Sequence, residues 1–377
     1  MACGAEHRAA STLDLKEIEY DRVSQAADRY LGTAVVTVTD TVSPRSAGGP
    51  HDYYSEGDYW WPDPENPGGP YIRRDGRSNP DNFLAHRQAM RRLSKIVPTL
   101  VSAFKLTGKE RYADEAIRHL HAWFIDEKTM MNPNLQYSQA IMGRNEGRSI
   151  GIIDTIHLVE VAQAVRVLNS MGYLSGENQS ALLGWFSAYL DWLTTSKFGI
   201  EEKMHGNNHS TAWALQASAF ARLVGNQEIL EACRSLYKGT LLPEQVAEDG
   251  SFPRELDRTK PYGYSLFNLD VMTSLVHIIS DDNHDLWTYQ TEDGKSIGKV
   301  LEFMYPYIED KSEWPYREDV MYYDQWPVRH PALLFGGLAL DRPRYIALWN
   351  SLNPDPEFPE IVRNFPIRQP ILWIEQH

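Results

Sequence analysis

The sequence predicts an all-α protein, an (α/α) toroid or incomplete barrel of antiparallel helix hairpins. Three observations lead there. From about residue 80 onward, apolar residues recur near the helical period, the helical segments come in pairs joined by short turns, and alternating strand patterns are almost absent. The first segment, 82–106, places Leu84, Met90, Leu93, Val97, Leu100, Val101 and Phe104 on one face, and Gly108 is well placed to cap its end. A second helix over 110–125 lines up Ala113, Ala116, Ile117, Leu120 and Trp123. The same rhythm returns over 150–169 with 176–195, and over 210–224 with 227–241, at a spacing of about 40 residues. Two further helices are expected over 263–279 and 295–304. Long loops between the helices favour closure into a toroid over an open solenoid, and one domain spanning 1–377 is expected.

Before this array, residues 41–80 are dense in glycine, proline, aspartate and aromatic residues. Prolines at this density exclude regular helix or central strand, while the large aromatics exclude low-complexity disorder. The stretch therefore reads as an ordered, functional loop.

The composition excludes several function classes. With 42% hydrophobic and 23% charged residues the chain has the balance of a soluble globular protein, and no apolar run reaches the roughly 20 residues of a membrane span. A net charge of -14 argues against nucleic acid as a partner, since phosphate recognition needs a basic field. An anionic ligand is still compatible, provided that the basic side chains gather in one cleft. The two cysteines, Cys3 and Cys233, indicate neither a disulfide framework nor a metal site. Met1-Ala2-Cys3-Gly4 lacks the features of a secretory signal and fits a chain trimmed at a lipid-anchoring cysteine. No pattern speaks to the oligomeric state.

Dinucleotide-binding and phosphate-loop glycine motifs are missing, as is the His-Glu-x-x-His zinc motif. His205 and His209 are four apart, but Gly206-Asn207-Asn208 between them reads as a loop entering a helix rather than as a metal-binding turn. No metal or organic cofactor is expected. Three polar, glycine-bearing segments remain, each preceding a helix: Gln136-Tyr137 through Asn145 to Arg148, Lys203 to Ser210, and Asp249 to Ser265. Singly, each has an ordinary reading as a helix cap or a solvated loop with an Arg–Glu pair. Together, at one end of a toroid, they would bring Arg144, Arg148, His205, His209, Arg254, Arg258 and Lys260 into one basic pocket.

The run Gly57-Asp58-Tyr59-Trp60-Trp61-Pro62-Asp63-Pro64, with Tyr71-Ile72-Arg73-Arg74-Asp75-Gly76 after it, resembles the N-terminal signature of the alginate lyase superfamily. Asn207-Asn208-His209-Ser210 is similar to its Asn-His motif, and the segment from Arg258 to Asn268 to its Arg…Tyr motif. The resemblance spans about residues 50 to 280, in the family's order, and is nearest to polysaccharide lyase family thirty-eight, with family five more distant. Arg258 and Tyr264 are six apart and Met142 replaces a proline, departures that bear on the substrate rather than on the fold.

The resemblance implies β-elimination on a 1,4-linked uronate polymer, mannuronate-containing alginate first and glucuronan as the alternative, giving unsaturated uronyl ends. A lyase removes the C5 proton beside a carboxylate and expels the C4 oxygen, so it must neutralise that carboxylate with preorganised donors. Asn208, His209 and Arg258 suit this task. Tyr264 is the expected acid and base, its pKa lowered by a nearby cation. Where the C5 proton and leaving oxygen lie on opposite faces, His209 becomes the base. Arg254, Arg144, Arg148, Asn145, Gln136, Tyr137, His205 and Lys260 are candidates for substrate binding, with Tyr59, Trp60 and Trp61 as a lid or subsite wall. A glycoside hydrolase is the rival enzyme, yet no pair of carboxylates stands out for it. A non-catalytic glycan binder would not need Tyr264. The substrate class places the protein in the periplasm or outside the cell.

Overall fold

The computed structural model describes residues 13–375. It begins with helix α1 (Leu15–Tyr30), then strands β1 (Tyr54–Glu56), β2 (Trp60–Trp61) and β3 (Ile72–Arg73). Helices α2 (Ala85–Thr107) and α3 (Glu110–Phe124) follow, then β4 (Tyr137–Ala140), α4 (Leu158–Ser170), α5 (Gly176–Thr195), α6 (Lys197–Lys203), α7 (Asn208–Val224) and α8 (Gln227–Leu236). The chain ends with α9 (Leu242–Gln245), α10 (Pro253–Leu256), α11 (Pro261–Ile279), α12 (Ile297–Glu309), α13 (Pro331–Ala339), α14 (Pro343–Ser351) and α15 (Pro359–Arg363).

Helices α2, α4, α7, α11 and α13 pack side by side in that order as an inner layer, and α3, α5, α8, α12 and α14 lie against them. The inner helices are apolar almost all round, as buried helices must be: within α11 only Tyr264 and His277 are not fully buried. The outer helices are amphipathic, α3 and α8 burying one stripe each. Among the described residues the two ends of the series, α13 and α2, do not pack on each other as the other inner helices do. A turn at Pro370–Leu372 packs on α1, α2 and α4 and covers part of the seam. The fold is thus the incomplete toroid expected from the sequence.

Gly108 (φ 67°) ends α2 in the left-handed conformation as expected, and Gly225 (φ 77°) ends α7 in the same way, each donating its N–H back to the last turn. Three features depart from the sequence reading. Residues 150–157 form a 3-10 segment, Ser149–His157, instead of the first turns of α4. The stretch 237–241 widens into a π turn. Helices α1, α13 and α14, and the short α6, α9, α10 and α15, were not expected. In α1 the buried stripe is sparse, Leu15, Val23 and Ala27 being joined by Glu19, which is paired with Arg22 and Arg329. The loop over 41–80 is ordered: β1 pairs in parallel with β4, and β2 pairs antiparallel with β3. It lies across the end of the toroid where the inner helices begin. Cys3 falls outside the described residues.

Candidate active site

The N-terminal ends of α2, α7 and α11 and the 3-10 segment before α4 surround a cavity of about 330 Å³, to which the 41–80 loop adds Asp58, Tyr59, Trp60 and Arg73. Six arginines line it (Arg73, Arg87, Arg91, Arg148, Arg258 and Arg363) against two aspartates, Asp58 and Asp154. The basic side chains of this acidic protein do gather in one cleft, and the orientation reinforces them, because the positive ends of the inner helix dipoles converge there.

Asn208 and His209 sit at the first turn of α7, which Asn207 caps by accepting the His209 N–H at its side-chain oxygen. Buried Glu255 of α10 accepts both the backbone N–H of Asn208 (2.8 Å) and its side-chain amide (2.7 Å). Buried Glu202 of α6 takes the Nδ1 of His209 at 2.6 Å. The two imidazoles of His205 and His209 are 4.9 Å apart. Burial, then His209, pushes the pKa of His205 down, so its ring is neutral. Both Nδ1 atoms are engaged, that of His205 with Asn207. Among the described residues no cluster of three or more His, Cys, Asp or Glu side chains could hold a metal.

Tyr264 lies one turn into α11, whose start is held by Asp319 accepting the N–H groups of Tyr262 and Gly263 at 2.9 Å each. Its hydroxyl is 2.7 Å from that of Tyr59 and accepts from Arg258 Nη2 at 3.3 Å. The Arg258 guanidinium also lies over the Tyr264 ring, 4.4 Å from its centre, and is anchored on Asp75 at 3.0 Å. Asp75 is held down to about 2: burial alone would raise it, but Arg258 outweighs that. Tyr59 in turn accepts from Arg363 Nη2. The expectation that a cation lowers the Tyr264 pKa is corrected here. Burial, followed by the neighbouring Tyr59, pushes the phenol well above its ordinary value, against the opposing pull of Arg258. The resting phenol is neutral.

The cavity brings together Tyr264, His209, Asn208, Arg258, Arg148, His205, Tyr59 and Trp60 from the predicted set. The other candidates lie elsewhere. Lys260 is buried behind the tyrosines, paired with Glu360 at 2.6 Å. Arg254 is exposed and donates to the Gly206 carbonyl. Arg144 stacks on Trp60 from outside and donates to the Tyr71 carbonyl. Asn145 folds its side-chain oxygen onto the Ile141 N–H, closing its own turn. Gln136 is exposed, Tyr137 belongs to β4 and packs beside Gly48, and Trp61 donates to the Arg77 carbonyl under Arg74. None of these seven lines the cavity.

Sequence reasoning missed Arg87, Arg91, Arg363, Gln139, Asp58 and Asp154. Arg87 and Arg91 carried a readable signal: two arginines one turn apart beside Met90, Arg87 buried and Arg91 half-buried. Arg87 is compensated by Asp154 and Asp58. Arg91 and Arg148 are not: they donate to the carbonyls of Arg87, Pro359 and Gln139 and to the Gln139 side chain. Burial, together with neighbouring arginines, lowers both to about 10, still cationic at neutral pH. Gln139 is held left-handed (φ 49°), with its N–H on Ser55, its carbonyl accepting from Arg148 and its amide donating to Asp154. Strain of this kind persists where the surroundings over-determine a residue.

A hydrolase would need a protonated carboxylic acid in the cavity. Burial acts to raise Asp58, but Arg363 and Arg87 outweigh it and hold the carboxyl far below its usual range. Asp154 is bound to Arg87, Ser55 and Gln139. A helical toroid carrying a phenol, an imidazole and an amide in an arginine-walled cavity defines a polysaccharide lyase. A sequence model of alginate lyases matches residues 37–314, and the chain belongs to the alginate lyase family. It is similar to the crystal structure of an alginate lyase from Bacteroides ovatus, with 32% identity, a TM-score of 0.82, and coverage of 95% of this chain and 93% of that one. Alginate lyase A1-III from Sphingomonas species A1 shares the fold, at 16% identity and a TM-score of 0.57 over 96% of this chain and 97% of that one. No curated protein matches the chain.

Proposed function

We propose that the protein cleaves alginate by β-elimination at mannuronate-containing sites, leaving an unsaturated uronyl end. The observation that carries this reading is the meeting of Tyr264, His209, Asn208 and Arg258 in one cavity whose walls hold two uncompensated arginines. The reacting uronate carboxylate is met by Asn208, whose amide is aimed by Glu255, and by Arg258, while His209 stands beside them with its Nδ1 on Glu202; Arg91 and Arg148 take carboxylates of neighbouring sugars. Neutralising the carboxylate lets charge spread from C5 as its proton leaves, with donors already in place. Glucuronan, whose reacting atoms have the same arrangement, is the second substrate to test.

Tyr264 enters as a neutral phenol and protonates the departing O4. In mannuronate and glucuronate H5 and O4 lie on one face of the ring, so a single group can serve both. There the phenol must first have lost its proton to solvent; the phenolate, accepting from the Tyr59 hydroxyl 2.7 Å away, then takes H5 and returns it to O4. The resulting phenolate is balanced by Arg258 and, through Tyr59, by Arg363. In guluronate the two atoms lie on opposite faces, and His209 takes H5 while Tyr264 protonates O4. As the substrate is a polymer too large to enter a cell intact, we place the protein in the periplasm or outside the cell, with a lipid anchor at Cys3 as one form.

The test is to follow the ultraviolet absorbance of the C4–C5 double bond with polymannuronate, polyguluronate and glucuronan separately. Absorbance rising fastest with polymannuronate is the expected result. Reducing ends without that absorbance would mean hydrolysis and would overturn the mechanism.

A further inference from the structure

We infer that Glu202 is a positioning residue for the elimination: it fixes the proton of His209 on Nδ1 and leaves Nε2 as the atom offered to the sugar. This deepens the function proposed above and rests on it only for the identity of the reaction.

Glu202 is fully buried on α6, and its carboxylate has one side-chain partner among the described residues, the Nδ1 of His209 at 2.6 Å. Its second oxygen, Oε2, is buried without any partner. At 2.6 Å the bond is shorter than an ordinary N–H···O contact, the length of a strong, charge-assisted one. A carboxylate only accepts, which requires Nδ1 to carry the proton. The other ring nitrogen, Nε2, makes no hydrogen bond to the described residues, and the ring lines the cavity. The tautomer of a histidine is set by the bond that its other nitrogen makes, and here that bond comes from behind the site.

Two neighbours show why the constraint is needed. His205, stacked near His209, has its own Nδ1 on Asn207, so it does not compete for Glu202. The Asn207 oxygen accepts the His209 backbone N–H, fixing the main chain but not the ring. Without Glu202 the ring is free to turn or to carry its proton on Nε2, which would present a donor where an acceptor is required to take H5. With it, Nε2 enters as an acceptor and, once protonated, becomes an imidazolium held between Glu202 and the uronate carboxylate.

The test is the tautomer itself, read from long-range proton–nitrogen NMR correlations of the imidazoles in the whole protein, with His209→Gln to assign the signal. Wild type is expected to show His209 protonated at Nδ1. Glu202→Gln, which keeps the shape but can donate as well as accept, is expected to move protonation toward Nε2. It should lower kcat on polyguluronate by about 10²–10⁴-fold, the worth of a general base, with KM within about twofold. A wild-type His209 bare at Nδ1 would overturn the proposal, and so would a folded Glu202→Gln enzyme with unchanged kcat. If that variant does not fold, the wild-type tautomer decides alone. An Nδ1-protonated His209 in a protein giving no unsaturated product from any uronan would overturn the lyase reading and leave the positioning role intact.

Discussion

The two mouths of the toroid are both lined by cations, yet only one is furnished for chemistry. At the N-terminal mouth, the cavity of about 330 Å³ has six arginines, two of them without a carboxylate, around a phenol and an imidazole. At the opposite mouth, where α2, α4, α7 and α11 end, lies a larger hollow of about 820 Å³ with Lys105, Arg166 and Arg222. Those cations sit among Asp281, Asp285 and Glu375 and at helix C-termini, where positive charge complements the dipole instead of adding to a field. His277 lies flat on Phe335, ring centres 4.2 Å apart, and burial lowers it to about 4. The size of a cavity does not locate the site. What separates the two is the sign of the helix ends and the presence of side chains held from behind by buried carboxylates.

The most severe way to probe this contrast is Tyr264→Phe. It removes the hydroxyl that meets Tyr59 and Arg258 while keeping the ring under the guanidinium. General acid–base participation is worth about 10²–10⁴-fold, so kcat should fall by that factor with the thermal midpoint nearly unchanged. Retained turnover would move the acid to another group. Substitution of His277 at the other mouth should leave turnover intact.

The state of that phenol gives a second probe. Burial and Tyr59 raise its pKa, so the phenolate is scarce at neutral pH and its fraction grows as pH rises. On polymannuronate, where the phenolate must take H5, kcat/KM should climb by up to about tenfold per pH unit into the alkaline range. On polyguluronate the neutral phenol is the useful form, and the rise should be absent. Equal profiles on the two polymers would remove the distinction between one-group and two-group elimination.

Arg91→Ala and Arg148→Ala sharpen the comparison from the binding side. Each removes a cation that makes no ion pair among the described residues, so the loss falls on the substrate carboxylate and not on an internal pair. A charged hydrogen bond is worth about 1.5–3 kcal/mol, which corresponds to KM rising about 10–100-fold with kcat less affected. Arg222→Ala, at the rear mouth, should change neither.

The same division governs what the sequence made legible. The hairpins were readable because each rests on a local pattern, such as the apolar stripe of 82–106 and Gly108 at its left-handed cap. Tyr264, His209, Asn208 and Arg258 were readable because they stand in contiguous motifs. What failed to show were pairings between distant segments. Lys260 looked like a substrate cation because its partner, Glu360, lies 100 residues away. The Tyr264 pKa was expected to fall because Arg258 is near in sequence, whereas burial, which no local pattern displays, sends it up. Helix α13 was missed because nine residues, apolar all round and interrupted by Gly336 and Gly337, show no helical period.

Two glycines test the contrast at its smallest scale. Gly108 and Gly206 both have positive φ, 67° and 88°, so an alanine at either is strained by about 1 kcal/mol or more. Behind that common cost their surroundings differ. A Cβ on Gly108, at the rear mouth, would meet nothing within 4 Å, whereas one on Gly206 would come within 2.1 Å of Arg254 Nη1. Arg254 donates to the Gly206 carbonyl, and the Gly206 N–H donates to Ser210 Oγ in the first turn of α7, one residue after His209. Gly108→Ala should therefore lower the thermal midpoint by a few degrees and leave kcat alone. Gly206→Ala should lower the midpoint similarly and reduce kcat as well, because Arg254 must move and the turn carrying His205 and His209 moves with it. Equal kcat in the two variants would mean that this turn tolerates displacement, and that His209 is held by Glu202 more than by the backbone on which it sits.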